Sequence, residues 1–252
     1  MTFNVSADAY ARFMGRFSEP LAALFADFTR VRPGEHALDV GCGPGALTAE
    51  LVRRLGADAV TAVDPSAPFV AAVGARLPGV DVRPGVAESL PFADASFDLV
   101  AAQLVVHFMT DPVAGLREMA RVARPGGRIA ACVWDHAGGG GPLDVFWRAV
   151  RDMDAQASDE SGLPGTREGQ LGELCQSAGL SDIQASCLTV KLRFATFADW
   201  WEPFTLGVGP AGAHVNGLGT PQREALRGRC AQLLPDAPFD ISASAWAVCA
   251  GV

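Results

Sequence analysis

The chain has 252 residues, a formal net charge of −8 and 49% hydrophobic residues, enough for one full core in a single α/β domain. That acidity, with no Lys/Arg cluster, argues against duplex DNA or RNA as a partner; no basic-then-apolar leader opens the sequence, so a cytoplasmic location is expected. Six cysteines without paired spacing and four isolated histidines point to reduced core thiols, with neither a disulfide framework nor a metal site.

Residues 7–30 carry Phe13, Phe17, Leu21, Leu24, Phe25 and Phe28 at near-helical spacing, which predicts one or two amphipathic helices. After Pro33-Gly34 the pattern alternates: strand 36–40, helix 45–55, strand 59–63, helix 66–76, strand 80–84, strand 97–102, helix 112–123, strand 127–134. Such alternation predicts a doubly wound, mostly parallel sheet with its ligand at the strands' carboxyl edge. A glycine-rich connector at 136–142 leads into a helix over 143–156, and the polar run 158–166 reads as a lid or disordered loop. A helix over 171–178 ends at Gly179. Residues 182–194 and 239–252 read as two long closing strands, bringing the sheet to seven. Between them, 197–204 and a helix over 221–234 form an insertion above the site. The uncharged stretch 203–222 is broken by glycines and prolines, so no membrane span is expected. The whole of 1–252 is read as one domain: a helical cap over 1–34, a cofactor-binding core over 35–134, and substrate-covering segments with the closing strands over 135–252.

The run Ala37-Leu38-Asp39-Val40-Gly41-Cys42-Gly43-Pro44-Gly45-Ala46 says most about function. An apolar strand, three alternate glycines and a helix start bring bare backbone N–H groups and a positive helix end against a ligand. Gly41, Gly43 and Ala46 also fit the dinucleotide fingerprint, so a nicotinamide-dependent oxidoreductase is the alternative. Asp39 tilts the choice. A carboxylate at the sheet edge needs a cationic or N–H partner; it repels a pyrophosphate and attracts an amino acid's ammonium. Asp64 ends the next strand about twenty residues beyond the glycines, where it can accept both ribose hydroxyls. Pro65 then offers an apolar surface to a base.

These residues resemble the class I S-adenosylmethionine-dependent methyltransferases. Ala87-Glu88-Ser89-Leu90-Pro91-Phe92 with Ser96-Phe97-Asp98-Leu99-Val100 resembles that family's adenine-binding loop and fourth strand. Arg117-Glu118 through Arg121-Val122-Ala123-Arg124-Pro125-Gly126-Gly127-Arg128 resembles its helix and turn before the fifth strand. Tyr10-Ala11-Arg12-Phe13-Met14-Gly15-Arg16-Phe17 resembles the amino-terminal cap of a small-molecule subgroup. The resemblance implies a Rossmann-like methyltransferase fold, S-adenosylmethionine as cofactor and S-adenosylhomocysteine as product. It further implies methyl transfer to an oxygen, nitrogen or carbon nucleophile of a small, apolar molecule. A protein that binds S-adenosylmethionine without methyl transfer is the further alternative. The implied cofactor contacts are Asp39, Gly41, Gly43, Gly45, Asp64, Pro65, Ala87 and Glu88. Val86 stands where many relatives carry the Asp that binds the adenine amino group, so Glu88 or backbone around Ala87 takes that task. Gln103 is expected at the cofactor's amino-acid portion, Tyr10 over its methionine end, and Arg16 on its carboxylate.

Displacement at a sulfonium methyl needs positioning and exclusion of water, with a base only for a protonated nucleophile. His107, after the fourth strand, is the expected catalytic base; His136 is second, its glycine-rich surroundings favouring a solvated loop. Trp134 is expected to wall the substrate site. Trp200, Trp201 and Phe204, clustered with Phe194 and Phe197, are expected to line it or to form core beneath a lid.

Overall fold

In the computed structural model, which describes residues 6–252, seven strands form one sheet. They are β1 (Ala37–Val40), β2 (Val60–Asp64), β3 (Asp81–Pro84), β4 (Phe97–Gln103), β5 (Ala123–Trp134), β6 (Ser181–Phe194) and β7 (Phe239–Gly251), in the order β3-β2-β1-β4-β5-β7-β6. The first five run parallel, and β7 runs antiparallel between β5 and β6. β1 is buried along its whole length and β4 nearly so, as expected of parallel strands covered on both faces. Their sequences accordingly read as apolar runs.

Ten α-helices accompany the strands among the described residues: α1 (Ala7–Tyr10), α2 (Arg16–Phe28), α3 (Ala46–Leu55), α4 (Ala67–Arg76), α5 (Pro112–Val122), α6 (Asp144–Met153), α7 (Gln170–Ser177), α8 (Phe197–Trp201), α9 (Gly209–Gly217) and α10 (Thr220–Leu233). A π-helical turn at Ala11–Gly15 joins α1 to α2. On one face Leu21 and Phe25 of α2 and Leu51 of α3 share an apolar cluster with Phe146 of α6 and Leu226 of α10. On the other face Leu116 and Met119 of α5 and Leu171 of α7 pack against Leu38, Val100 and Ile129. None of the described helices is long and apolar enough to cross a membrane.

Two expectations are corrected. β5 starts at Ala123, not 127, because Ala123 pairs with Phe97 before the register shifts. The 158–166 segment is held in place, not loose: the Thr166 hydroxyl donates to the carbonyls of Ser161 and Leu163, and Trp147 Nε1 donates to Glu160. Polar composition there reflects internal hydrogen bonding.

Candidate functional site

Strand order reverses between β1 and β4, and the crevice this creates at their carboxyl ends is where an open α/β sheet binds ligands. A cleft of about 270 Å³ lies there. Of the expected cofactor residues, Tyr10, Asp39, Gly41, Gly43, Asp64, Pro65, Ala87, Glu88 and Gln103 line it.

Gly45 and Arg16 do not. Gly45 has φ +91°, and a Cβ there would lie 3.0 Å from Val73 Cγ2, so this glycine serves the turn and the approach of α3 to α4. Its N–H goes to the Cys42 carbonyl. The Arg16 guanidinium is committed to Asp199, with Nη1 2.9 Å from Oδ1 and Nη2 3.3 Å from Oδ2, and lies 4.5 Å above the Phe194 ring. It clamps α2 to α8 instead of meeting a ligand carboxylate.

The glycine loop differs from the expected cradle of bare amides. Gly41 and Cys42 both donate to the Val63 carbonyl, at 2.7 and 3.0 Å, and Gly43 donates to Asp64 Oδ2 at 2.8 Å. The loop is thus strapped to the end of β2, and four of its amides are used internally. Gly43 still faces open space in the cleft: a Cβ on it would meet nothing within 4 Å.

Three carboxyl groups face the cleft. Asp39 is fully buried, and its partner is the Thr48 hydroxyl, which donates to Oδ2 at 2.6 Å; the expected cation or N–H is not its protein partner. Burial, with the nearby Asp64 adding to it, pushes Asp39 up to about 7. Asp64 accepts from Gly43 and Ser66 amides, yet burial still raises its pKa. Glu88 Oε1 accepts from the Thr110 amide at 2.7 Å, closing the loop beside Ala87. Val86 is 46% exposed at the cleft edge. Arg121 fixes this side by donating to the Phe92 and Leu90 carbonyls. Gln103 Nε2 donates to the Ser18 carbonyl at 2.9 Å, leaving Oε1 buried without a partner. That orphan oxygen, with the Asp39 carboxyl also lining the cleft, supplies acceptors of the kind an ammonium requires.

A second, smaller cavity of about 40 Å³ adjoins the first, sharing Tyr10, Leu104 and Phe108 with it. His107 lines this inner cavity, not the cleft. Burial, then neighbouring His136, holds its imidazole well below the usual range, so it is neutral at neutral pH and a weak base. His136 is half-buried at the same wall, 6.1 Å from His107 between ring centres, and burial pushes it down to about 4; it is not a solvated loop residue. Trp134 lines the inner cavity. Of the two placements expected for Trp200, Trp201 and Phe204, the structure has the core and not the substrate lining: Phe204 stacks on Phe146 at 4.6 Å and meets Phe13 at 5.1 Å, and none of the three lines either cavity. Sequence reasoning missed Thr48 and Glu160. Thr48 is legible in hindsight as the first-turn hydroxyl of the helix after the glycines; Glu160, in a polar run, gave no signal.

The methyltransferase-domain family matches residues 38–131, from β1 into β5. The chain is 43% identical over 190 residues to the demethylmenaquinone methyltransferase of Mycolicibacterium vanbaalenii, covering 67% of this chain and 79% of that protein. It is 38% identical over 135 residues to an uncharacterized methyltransferase of Mycobacterium tuberculosis, covering 54% of this chain and 52% of that relative, so it spans about half the relative's length. The solved structure of the YcgJ protein from Bacillus subtilis is similar with TM-score 0.58 and 19% identity, covering 93% of this chain and 97% of that one, which shows the shared fold. With this family match and this relative over most of its length, the chain belongs to the class I S-adenosylmethionine-dependent methyltransferases.

Proposed function

We propose that this chain transfers a methyl group from S-adenosylmethionine to an oxygen, nitrogen or carbon nucleophile of a small, apolar molecule. The charge of the cleft carries the reading. Asp39, Asp64 and Glu88 line it, and no Lys, Arg or His does among the described residues. The two phosphates of a dinucleotide would meet three carboxyls there, whereas an ammonium and a sulfonium meet complementary charge. Internal use of the loop amides also removes the phosphate cradle a dinucleotide needs.

When bound, S-adenosylmethionine supplies a methyl group on positively charged sulfur. The chain's own residues bind and orient: Asp64 toward the ribose hydroxyls, Asp39 and Gln103 Oε1 toward the ammonium, Pro65 and Ala87 against the base. Tyr10 lines both cavities. The inner cavity receives the acceptor, and its apolar wall keeps water from the reacting centre. The demethylmenaquinone methyltransferase relative supports a small-molecule acceptor, and the net charge of −8 supports it over a nucleic acid in a cytoplasmic enzyme. Calorimetric titration with S-adenosylhomocysteine and with NADH tests the reading: binding of the first and none of the second is expected, and the reverse overturns it. Transfer of labelled methyl to a metabolite panel separates a transferase from a non-transferring binder.

A further inference from the structure

The inner cavity contains a carboxyl group that no motif announces. Glu160 lies between α6 and α7, is 5% exposed, and lines the cavity with His107, His136 and Trp134. Its Oε2 accepts from Trp147 Nε1 at 2.7 Å, which fixes the carboxyl's orientation from α6. The neighbouring Arg151 is paired with Asp159, and no Lys or Arg lines this cavity among the described residues. Both histidines are neutral at neutral pH, for the reasons given above, so the cavity offers no positive charge. Burial pushes Glu160 up to about 7, and the Trp147 N–H that it accepts opposes that shift by favouring the carboxylate. Two further ring nitrogens, His107 Nδ1 and Trp134 Nε1, are buried without partners. Aromatic Phe13 and Phe108 complete the wall. A volume of about 40 Å³ admits a few heavy atoms, the reactive end of a molecule and not its body.

We propose that Glu160 is the specificity-determining residue of the acceptor site, accepting a hydrogen bond from an acceptor's hydroxyl and excluding acceptors whose reactive end is anionic. The inference rests on the reading that the inner cavity takes the methyl acceptor. Chemically, a carboxylate without a neighbouring cation favours a hydrogen donor and repels a second anion, while Phe13 and Phe108 suit the edge of the ring that carries the hydroxyl. The acceptor class is therefore an uncharged phenol-like hydroxyl compound.

The full chain, saturated with S-adenosylhomocysteine, is titrated by calorimetry with phenol, anisole and benzoate. Phenol is expected to bind about tenfold more tightly than anisole, which lacks the donor, and benzoate not to bind. Glu160→Gln keeps a carbonyl for Trp147 and is expected to reduce the phenol preference to about threefold or less, with affinity for S-adenosylhomocysteine unchanged. Equal binding of phenol and anisole, benzoate binding as tightly as phenol, or no binding of any of the three overturns the proposal. A folded Glu160→Gln chain with the full preference also overturns it. Should that variant not fold, the three-ligand comparison on the unaltered chain decides. Failure of the unaltered chain to bind S-adenosylhomocysteine overturns the methyl-donor reading instead.

Discussion

Asp64 receives the amide hydrogen of Gly43 at 2.8 Å across the mouth of the cleft, so the end of β2 holds the loop that follows β1. Its other oxygen takes the Ser66 amide at 2.8 Å. Asp64→Ala removes both anchors together with the proposed ribose contacts. Affinity for S-adenosylhomocysteine is expected to fall by about 2–4 kcal/mol. Calorimetry checks this, and an unchanged affinity would remove Asp64 from the binding site.

Two glycines two residues apart are expected to fail differently. Gly43→Val places its side chain in open space within the cleft, at a φ of +53° that costs about 1–2 kcal/mol in strain. The chain is expected to fold by circular dichroism but not bind S-adenosylhomocysteine. Gly41→Ala instead drives a Cβ to 2.5 Å from Val105 Cγ2 and is expected to lower the melting temperature. A Gly43→Val chain that binds normally would show that the ligand lies elsewhere.

His107 was the expected base, but its buried, neutral imidazole alters what substitution does. His107→Ala is expected to lower turnover by roughly tenfold through lost packing and orientation, short of the 10²–10⁴ of a lost base. Any limb of the pH–rate profile near neutrality is expected to survive the substitution. A pH–rate series on a stable His107→Ala chain that loses that limb would restore the catalytic role.

Asp39 makes the ligand-free fold sensitive to pH. Its folded pKa, raised to about 7 from an ordinary 3.8, means the folded state binds more protons than the unfolded one between those values. Its contribution to stability is therefore full at low pH and is lost as pH rises through about 7. Binding of an ammonium favours the ionised carboxylate, so affinity for S-adenosylhomocysteine is expected to rise over that same interval. Asp39→Asn is expected to flatten this rise; calorimetry at a series of pH values measures both chains. Glu160, also raised to about 7, adds to the stability slope, so Asp39→Asn removes only part of it.

Much of the core was legible because buried parallel strands leave continuous apolar runs, and because Asp39 and Asp64 sit where a polar side chain at the sheet edge has to face a ligand. Local order also placed α5 and the Ala87-Glu88 loop. What escaped depended on distant partners. Nothing near Arg16 indicates Asp199, 183 residues away. Phe204 and Trp200 read alike as pocket or as core, since both are apolar, and only the contact with Phe146 on α6 decides between them. Glu160 is hidden for the opposite reason: its polar neighbours look solvated until Trp147 is seen to cover it.

The position of β7 has a consequence for synthesis. β5 precedes β6 in the chain, yet the strand that joins them is the last of the seven to be made. While the ribosome is still translating residues 239–251, β5 presents an unpaired edge of seven register positions and β6 has no partner on that side. Neither can finish its hydrogen-bond ladder by local pairing. The nascent chain thus carries an unsealed sheet edge, and closure waits for β7 to pair antiparallel with both neighbours in the gap.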